Sequence, residues 1–139
     1  MCLHLTQPIP KKRKRSGYGY KVFRTNGGCF LFEFGNLYGS TVCPAGTWLH
    51  SGPCGALYYD SDRALRTGFH IFKSRRSADH YARYSATNNL CVVKVRYFDA
   101  FSEGVQDIGS MRPLKALVAR RVYVPKYELR RIIKLDRSR

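Results

Sequence analysis

Cys43, His50 and Cys54 fall in one loop-rich stretch, with Cys29 upstream, and thiolates and imidazoles are the ligands a structural zinc ion prefers. Their spacing argues against such a site. Zinc ligands come in close pairs, and only His50 and Cys54, with three residues between them, are that close. No metal site is read here, and no cofactor. Cys91 opens an apolar run and reads as core, not as a nucleophile. His70 stands beside Phe69 and near Phe72, and His80 precedes Tyr81; no acid is locally paired with either, so a Ser-His-Asp or Cys-His-Asp arrangement has no support. The phosphate-cradling G-x-x-x-x-G-K-[ST] pattern and paired carboxylates are also missing from the sequence.

Basic residues carry the sharper signal. Pro10-Lys11-Lys12-Arg13-Lys14-Arg15 places five consecutive bases after a proline, a pattern similar to a monopartite nuclear localisation signal. The same run suits the phosphates of a nucleic acid without any receptor, because neutralising phosphates releases condensed counterions. A solvated, merely solubilising tail is the plain alternative. The ten tyrosines, with Arg24, Arg63, Arg66 and Arg83, are further candidates to stack on or bond to bases.

Charge is distributed in the same sense. The 139 residues hold 25 Lys and Arg against 9 Asp and Glu, a formal net charge of +16. Residues 1–24 hold seven bases and no acid; residues 112–139 hold ten bases against Glu128 and Asp136. The body between them is nearly neutral, with eight bases and seven acids. Two basic ends around a neutral body form an electrostatic footprint for a polyanion. At 44% hydrophobic and 14% aromatic the chain has material for a core, so wholesale disorder is excluded. No stretch approaches the ~18–20 apolar residues of a membrane span. Met1 to Leu5, running into Pro8 and the basic block, does not read as a secretory signal. Five dispersed cysteines read as reduced thiols of an intracellular protein.

The elements that must position these residues follow from periodicity. Residues 1–17 are expected to be a basic disordered tail, since Pro8 and Pro10 break regular structure and the bases repel one another. Residues 18–139 are expected to form one domain with a basic C-terminal segment. Tyr20 to Arg24 reads as a strand, turning at Asn26-Gly27-Gly28 into a second run from Cys29 to Phe34. Gly35 to Asp62 reads as loops and short strands, with extended pieces near Tyr38–Val42 and Thr47–Leu49. Gly68 to Phe72 is a strand, and Ser74 is the N-cap of a helix whose inward face is Ala78, Tyr81, Ala82 and Ser85. Asn88-Asn89 should end that helix. Cys91 to Phe98 is the clearest strand, with Val93, Val95 and Tyr97 on one face and Lys94 and Arg96 on the other. Leu117 to Val124 is a further strand. Pro125 then opens an amphipathic segment, helix or strand, with Leu129, Ile132 and Ile133 inward and Arg130, Arg131 and Lys134 outward. The expected fold class is α+β: a small single domain with a bent, mainly antiparallel sheet and one main helix.

Two resemblances attach to these residues. Tyr20-Lys21-Val22-Phe23-Arg24, Ala45-Gly46-Thr47-Trp48 and Gly68-Phe69-His70 resemble segments of small phage and virus proteins of unassigned function. Gly68 to Phe72, Ser77 and Tyr81-Ala82, with Val122 to Val124 and Ile132 to Leu135, resemble the strand-then-helix and closing segments of the ADP-ribosyltransferase-like fold. That second resemblance implies a cleft lined by Arg24, His70 and Tyr81. The matching strand from Leu117 to Val124 carries Arg120 and Arg121 and no acid, so the cleft lacks the carboxylate that transfer requires.

The reading is therefore a non-enzymatic, basic, viral-type protein that binds a polyanion, most simply nucleic acid. The contacts expected are Lys11, Lys12, Arg13, Lys14 and Arg15 at one end and Arg120, Arg121, Arg130, Arg131 and Lys134 at the other. The alternatives are a minor virion or assembly component docking capsid proteins, and a catalytically degenerate ADP-ribosyltransferase-like protein. The expected partners are nucleic acid, virion proteins and a nuclear import receptor; the expected location is the host nucleus, the virion, or both.

Overall fold

The computed structural model of the protein describes residues 4–26, 28–32, 42–50, 58–60, 63–65, 68–85, 89–106 and 114–138. The strands are β1 (His4–Pro8), β2 (Gly17–Asn26), β3 (Cys29–Phe32), β4 (Val42–Cys43), β5 (Trp48–His50), β6 (Tyr58–Asp60), β7 (Arg63–Leu65) and β8 (Phe69–Phe72). Helix α1 (Arg75–Tyr84) follows, then the long strand β9 (Leu90–Gln106), β10 (Leu114–Tyr123) and helix α2 (Lys126–Arg137).

Every strand pairing among the described residues is antiparallel. The main sheet runs β1-β9-β10-β8-β2-β3-β4, and because β2 also pairs with β9, the four strands β9, β10, β8 and β2 close a ring. The strong bend expected from the sequence is this closure. It depends on Gly19: a methyl group there would overlap Ile71 Cγ2 and come within 3.0 Å of the Phe72 carbonyl, so only glycine lets β2 meet β8. β5 extends β10, and β6 and β7 form a separate hairpin. The turn signal at residues 26–28 produces the β2–β3 hairpin, with Asn26 opposite Cys29 and Gly28 at φ +88°.

Alternation of side chains sorts the core into two clusters on opposite faces. Phe23, Val93 and Val95 lie within the ring with Phe30, Ile71, Val122 and Val124, all fully buried; the Phe23 and Phe30 rings stack at 5.2 Å. Their neighbours Val22 and Val92 point to the other face, where α1 covers them with Ala78 and Tyr81. Helix α1 begins as its sequence dictates: Ser74 Oγ accepts the Ser77 N–H at 3.1 Å, closing the N-cap. Asn89, at φ +62°, makes the turn into β9.

Three expectations are sharpened or changed. First, the described residues form a small, mainly antiparallel sheet with two helices, and of the helix and strand left open for the segment after Pro125 it takes the helix, the twelve-residue α2. Ile132 of α2 is buried against the ring's core, and a side chain at Gly28 would meet Ile133. Second, β9 does not stop at Phe98. Asp99 adopts φ +59°, and the strand continues to Gln106 with Phe98 exposed but Ala100 wholly buried. A left-handed residue re-aims the strand across that step, as a bulge does. Third, the N-terminal segment is ordered from His4 onward. β1 pairs with the far half of β9, with Gln7 opposite Glu103, and Ile9 is buried in the core. The burial of Ile9 and the pairing of β1 oppose the repulsion that the sequence reading made decisive. The apolar run past Phe32 and the extended pieces at residues 38–41 lie outside the described residues.

Candidate nucleic-acid interface

The basic run is a folded turn. The Arg13 N–H donates to the Pro10 carbonyl at 2.9 Å, and the Ala100 N–H donates to the Arg15 carbonyl at 2.9 Å where β9 kinks. Arg13 reaches Glu103 Oε1 at 2.7 Å, Gln7 Nε2 donates to the same oxygen at 3.3 Å, and Lys73 reaches Oε2 at 2.8 Å. Glu103 is nearly buried, and its pKa is held below the ordinary carboxylate value by the hydrogen bond from Lys73, then that from Arg13, against the opposing cost of burial. Arg15 donates to the Ile9 carbonyl at 2.9 Å, and its Nε is buried without a hydrogen-bond partner among the described residues. Of the five bases, Lys11, Lys12, Arg13 and Lys14 are exposed, and Arg13 is spent on Glu103. Three cations of the run are thus available to a ligand.

The C-terminal bases divide similarly. Arg131 donates to Glu128 at 2.7 Å and to the Val92 carbonyl at 3.2 Å, so it fastens α2 to β9 and is not the outward cation expected. Arg130 and Lys134 are exposed on α2. Arg120 lies 3.7 Å from the Asp99 carboxylate, with its guanidinium 5.2 Å from the Phe101 ring. Arg121, its neighbour, forms no ion pair among the described residues and lies 5.3 Å from the exposed Phe98 ring.

Arg121 belongs to a surface that the charge count alone does not reveal. Cross-strand pairing sets Tyr18 of β2 opposite Arg96 of β9, Arg96 opposite Tyr123 of β10, and Tyr123 opposite Trp48 of β5. One row thus crosses four strands. The next row holds Phe98, Arg121 and His50. Lys94 lies 5.1 Å from the Tyr18 centroid; the Arg96 guanidinium lies 5.7 Å from Tyr18 and 5.8 Å from Trp48; and the Trp48 and Tyr123 rings are 5.5 Å apart. Tyr18 is 61% exposed, Phe98 48% and Trp48 39%, unusual for rings of this size. By strand alternation this is the same sheet face that α1 covers at Val22 and Val92, left open beyond the helix.

Electrostatics on this face is one-sided. Four carboxylates, Asp79, Asp99, Glu103 and Glu128, are engaged by other bases: Arg75, Arg120, Arg13 with Lys73, and Arg131 respectively. Lys94, Arg96 and Arg121 have no carboxylate within ion-pair distance among the described residues. Each instead lies over an aromatic ring, an arrangement worth about 0.5–1 kcal/mol at exposed sites.

The cleft implied by the transferase resemblance fares differently. Tyr81 is 2% exposed and packs on Phe72 at 5.3 Å between centroids, so its ring offers no face to a nicotinamide. Arg24 is exposed on β2. His70 is half-buried on β8, and burial, then nearby Lys21, pushes its pKa down to about 3. Cys43 is buried, which pushes its thiol up to about 12, and His50 is exposed; Cys54 lies outside the described residues. No three His, Cys, Asp or Glu side chains cluster as a metal site among the described residues, and no helix there is long and apolar enough to cross a membrane.

Sequence reasoning missed Trp48 and Phe98 as site residues and offered Tyr18 and Tyr123 only among the tyrosines at large. The usable signal was the outward face of β9, Lys94 and Arg96, two cations at a spacing of two. Comparison of the chain with known protein families, with curated proteins and with solved structures gave no match.

Proposed function

We propose that the protein is a non-enzymatic nucleic-acid-binding protein whose principal contact is the open sheet face of Tyr18, Trp48, Lys94, Arg96, Phe98, Arg121 and Tyr123. The observation that carries this reading is the row Tyr18-Arg96-Tyr123-Trp48, in which the exposed rings Tyr18 and Trp48, the half-buried Tyr123 and a cation without an ion pair among the described residues lie side by side across four strands. Rings offer stacking and cations offer phosphate contacts, the two terms nucleic-acid recognition combines. Lys11, Lys12 and Lys14 on the folded turn and Arg130 and Lys134 on α2 add to the field that steers a polyanion inward.

Salt dependence tests the reading. Replacing Lys94, Arg96 and Arg121 together with alanine is expected to flatten the slope of log K against log salt by about 2, taking ~0.7 per phosphate contact on a single strand for three contacts. An unchanged slope, with binding retained, would move the contact away from this face.

A further inference from the structure

The shape of the face selects among nucleic acids. Building on the reading above, we infer that the ligand is single-stranded, with unpaired bases stacking on Trp48, Tyr123 and Tyr18 while Arg96, Lys94 and Arg121 meet the backbone, and with little preference for sequence.

A duplex has nothing to offer these rings. Its bases are stacked on one another, and a protein meets only base edges and phosphates. Four strands span three inter-strand gaps, about 14 Å at ~4.8 Å each, before side chains are counted. The major groove, at ~12 Å, admits a helix or a two-stranded ribbon and not a face of this breadth. The exposed rings would then be left against phosphate, an arrangement that gains nothing from their apolar surface.

An unpaired strand reverses each of these points. Its bases present free π-faces, and stacking one on a protein aromatic is worth about 1–3 kcal/mol. The Arg96 guanidinium sits between Tyr18 and Trp48 at nearly equal distances, 5.7 and 5.8 Å, so ring, cation and ring follow without a gap. A guanidinium plane is itself a stacking surface for a base. Phe98 and Arg121 repeat the pairing one row along β9, about 6.7 Å away at ~3.3–3.4 Å per residue. None of the residues in these rows is Asn, Gln, Asp or Glu, the side chains that with Arg and Lys read base edges. Stacking without edge reading tolerates any base.

Trp48 is the sole tryptophan, so its fluorescence reports on the face directly. The whole protein is titrated with mixed-sequence single-stranded RNA, single-stranded DNA, duplex DNA of equal length, and an abasic sugar-phosphate oligomer. Quenching of Trp48 in either single-stranded arm is expected, with affinity at least tenfold above the abasic oligomer and the duplex. Tyr18→Ala is expected to lower single-strand affinity about tenfold and leave abasic binding unchanged. Duplex or abasic binding as tight as single-strand binding, with Trp48 quenched alike in those arms, would overturn the single-strand inference and leave the nucleic-acid reading intact; binding with Trp48 emission constant in all arms would move the contact off this face and overturn both. No binding in any arm at low salt would overturn both.

Discussion

The turn Lys11–Arg15 and the open face of β2, β9, β10 and β5 are both cationic, but their charges are engaged in opposite ways. The turn is the densest basic cluster in the sequence, yet Arg13 is held by Glu103 and Arg15 by the Ile9 carbonyl, with β1 and Ile9 fixing its entry. The face carries three cations, Lys94 and Arg96 from β9 and Arg121 from β10, and none of them has a carboxylate partner among the described residues. Charge density along a chain and charge available to a ligand are therefore different quantities. What decides availability is where the few acids fall: Glu103, Asp99 and Glu128 each neutralise a base that composition alone would have assigned to the partner.

The largest expected effect sharpens the contrast from the aromatic side. Trp48→Ala removes a stacking surface and is expected to weaken single-strand binding by roughly ten- to hundredfold, from ~1–3 kcal/mol per stacked base. Because Trp48 is 39% exposed, thermal stability should hardly move. A loss of binding matched by a loss of stability would make Trp48 a structural residue instead.

A smaller effect belongs to the turn. Neutralising Lys11, Lys12 and Lys14 is expected to lower the salt slope by up to about 2, at ~0.7 per phosphate, while leaving Trp48 quenching at saturation unchanged. Extending the change to Arg13 and Arg15 should add little to that slope and should destabilise the fold, since both are internal partners. Equal slope contributions from all five bases would return the run to a free tail.

The smallest effect reads the Arg13–Glu103 ion pair itself. At neutral pH Glu103→Gln is expected to speed tryptic cleavage within Lys11–Arg15 severalfold without changing single-strand affinity. Acid should act likewise. Glu103 has a depressed pKa in the folded protein, so its contribution is present above the ordinary carboxylate pKa of ~4.3 and fades as pH falls through the lower folded value. His70 sets the background to that titration. Its folded pKa near 3 means that the unfolded chain takes up a proton first, and stability should fall by up to about 1.4 kcal/mol per pH unit from ~6.5 downward. His70→Asn should flatten this slope.

Much of this architecture is legible locally. Ser74 and the spacing of Ala78, Tyr81 and Ala82 define α1, and the alternation around Val93 and Val95 defines the inner face of β9 and, by difference, the outward Lys94 and Arg96. The site was half visible for that reason. The remainder depends on long-range pairing. Nothing near Trp48 or Tyr123 in sequence says that β5 will lie beside β10 in the register that aligns them with Arg96. The order of the N-terminal segment was hidden in the same way, because Glu103, some ninety residues from Arg13, is what captures it. Tyr81 erred in the opposite direction: its spacing correctly marked an inward helix face, and that burial removes it from the cleft proposed for it.

Ultraviolet crosslinking of the intact protein to a single-stranded oligonucleotide, with the crosslinked residues read by mass spectrometry, tests the central claim most directly. Crosslinks concentrated at Tyr18, Trp48, Phe98 and Tyr123 are the predicted result. Crosslinks confined to the Lys11–Arg15 turn or to α2, with the four rings unmodified, would contradict it.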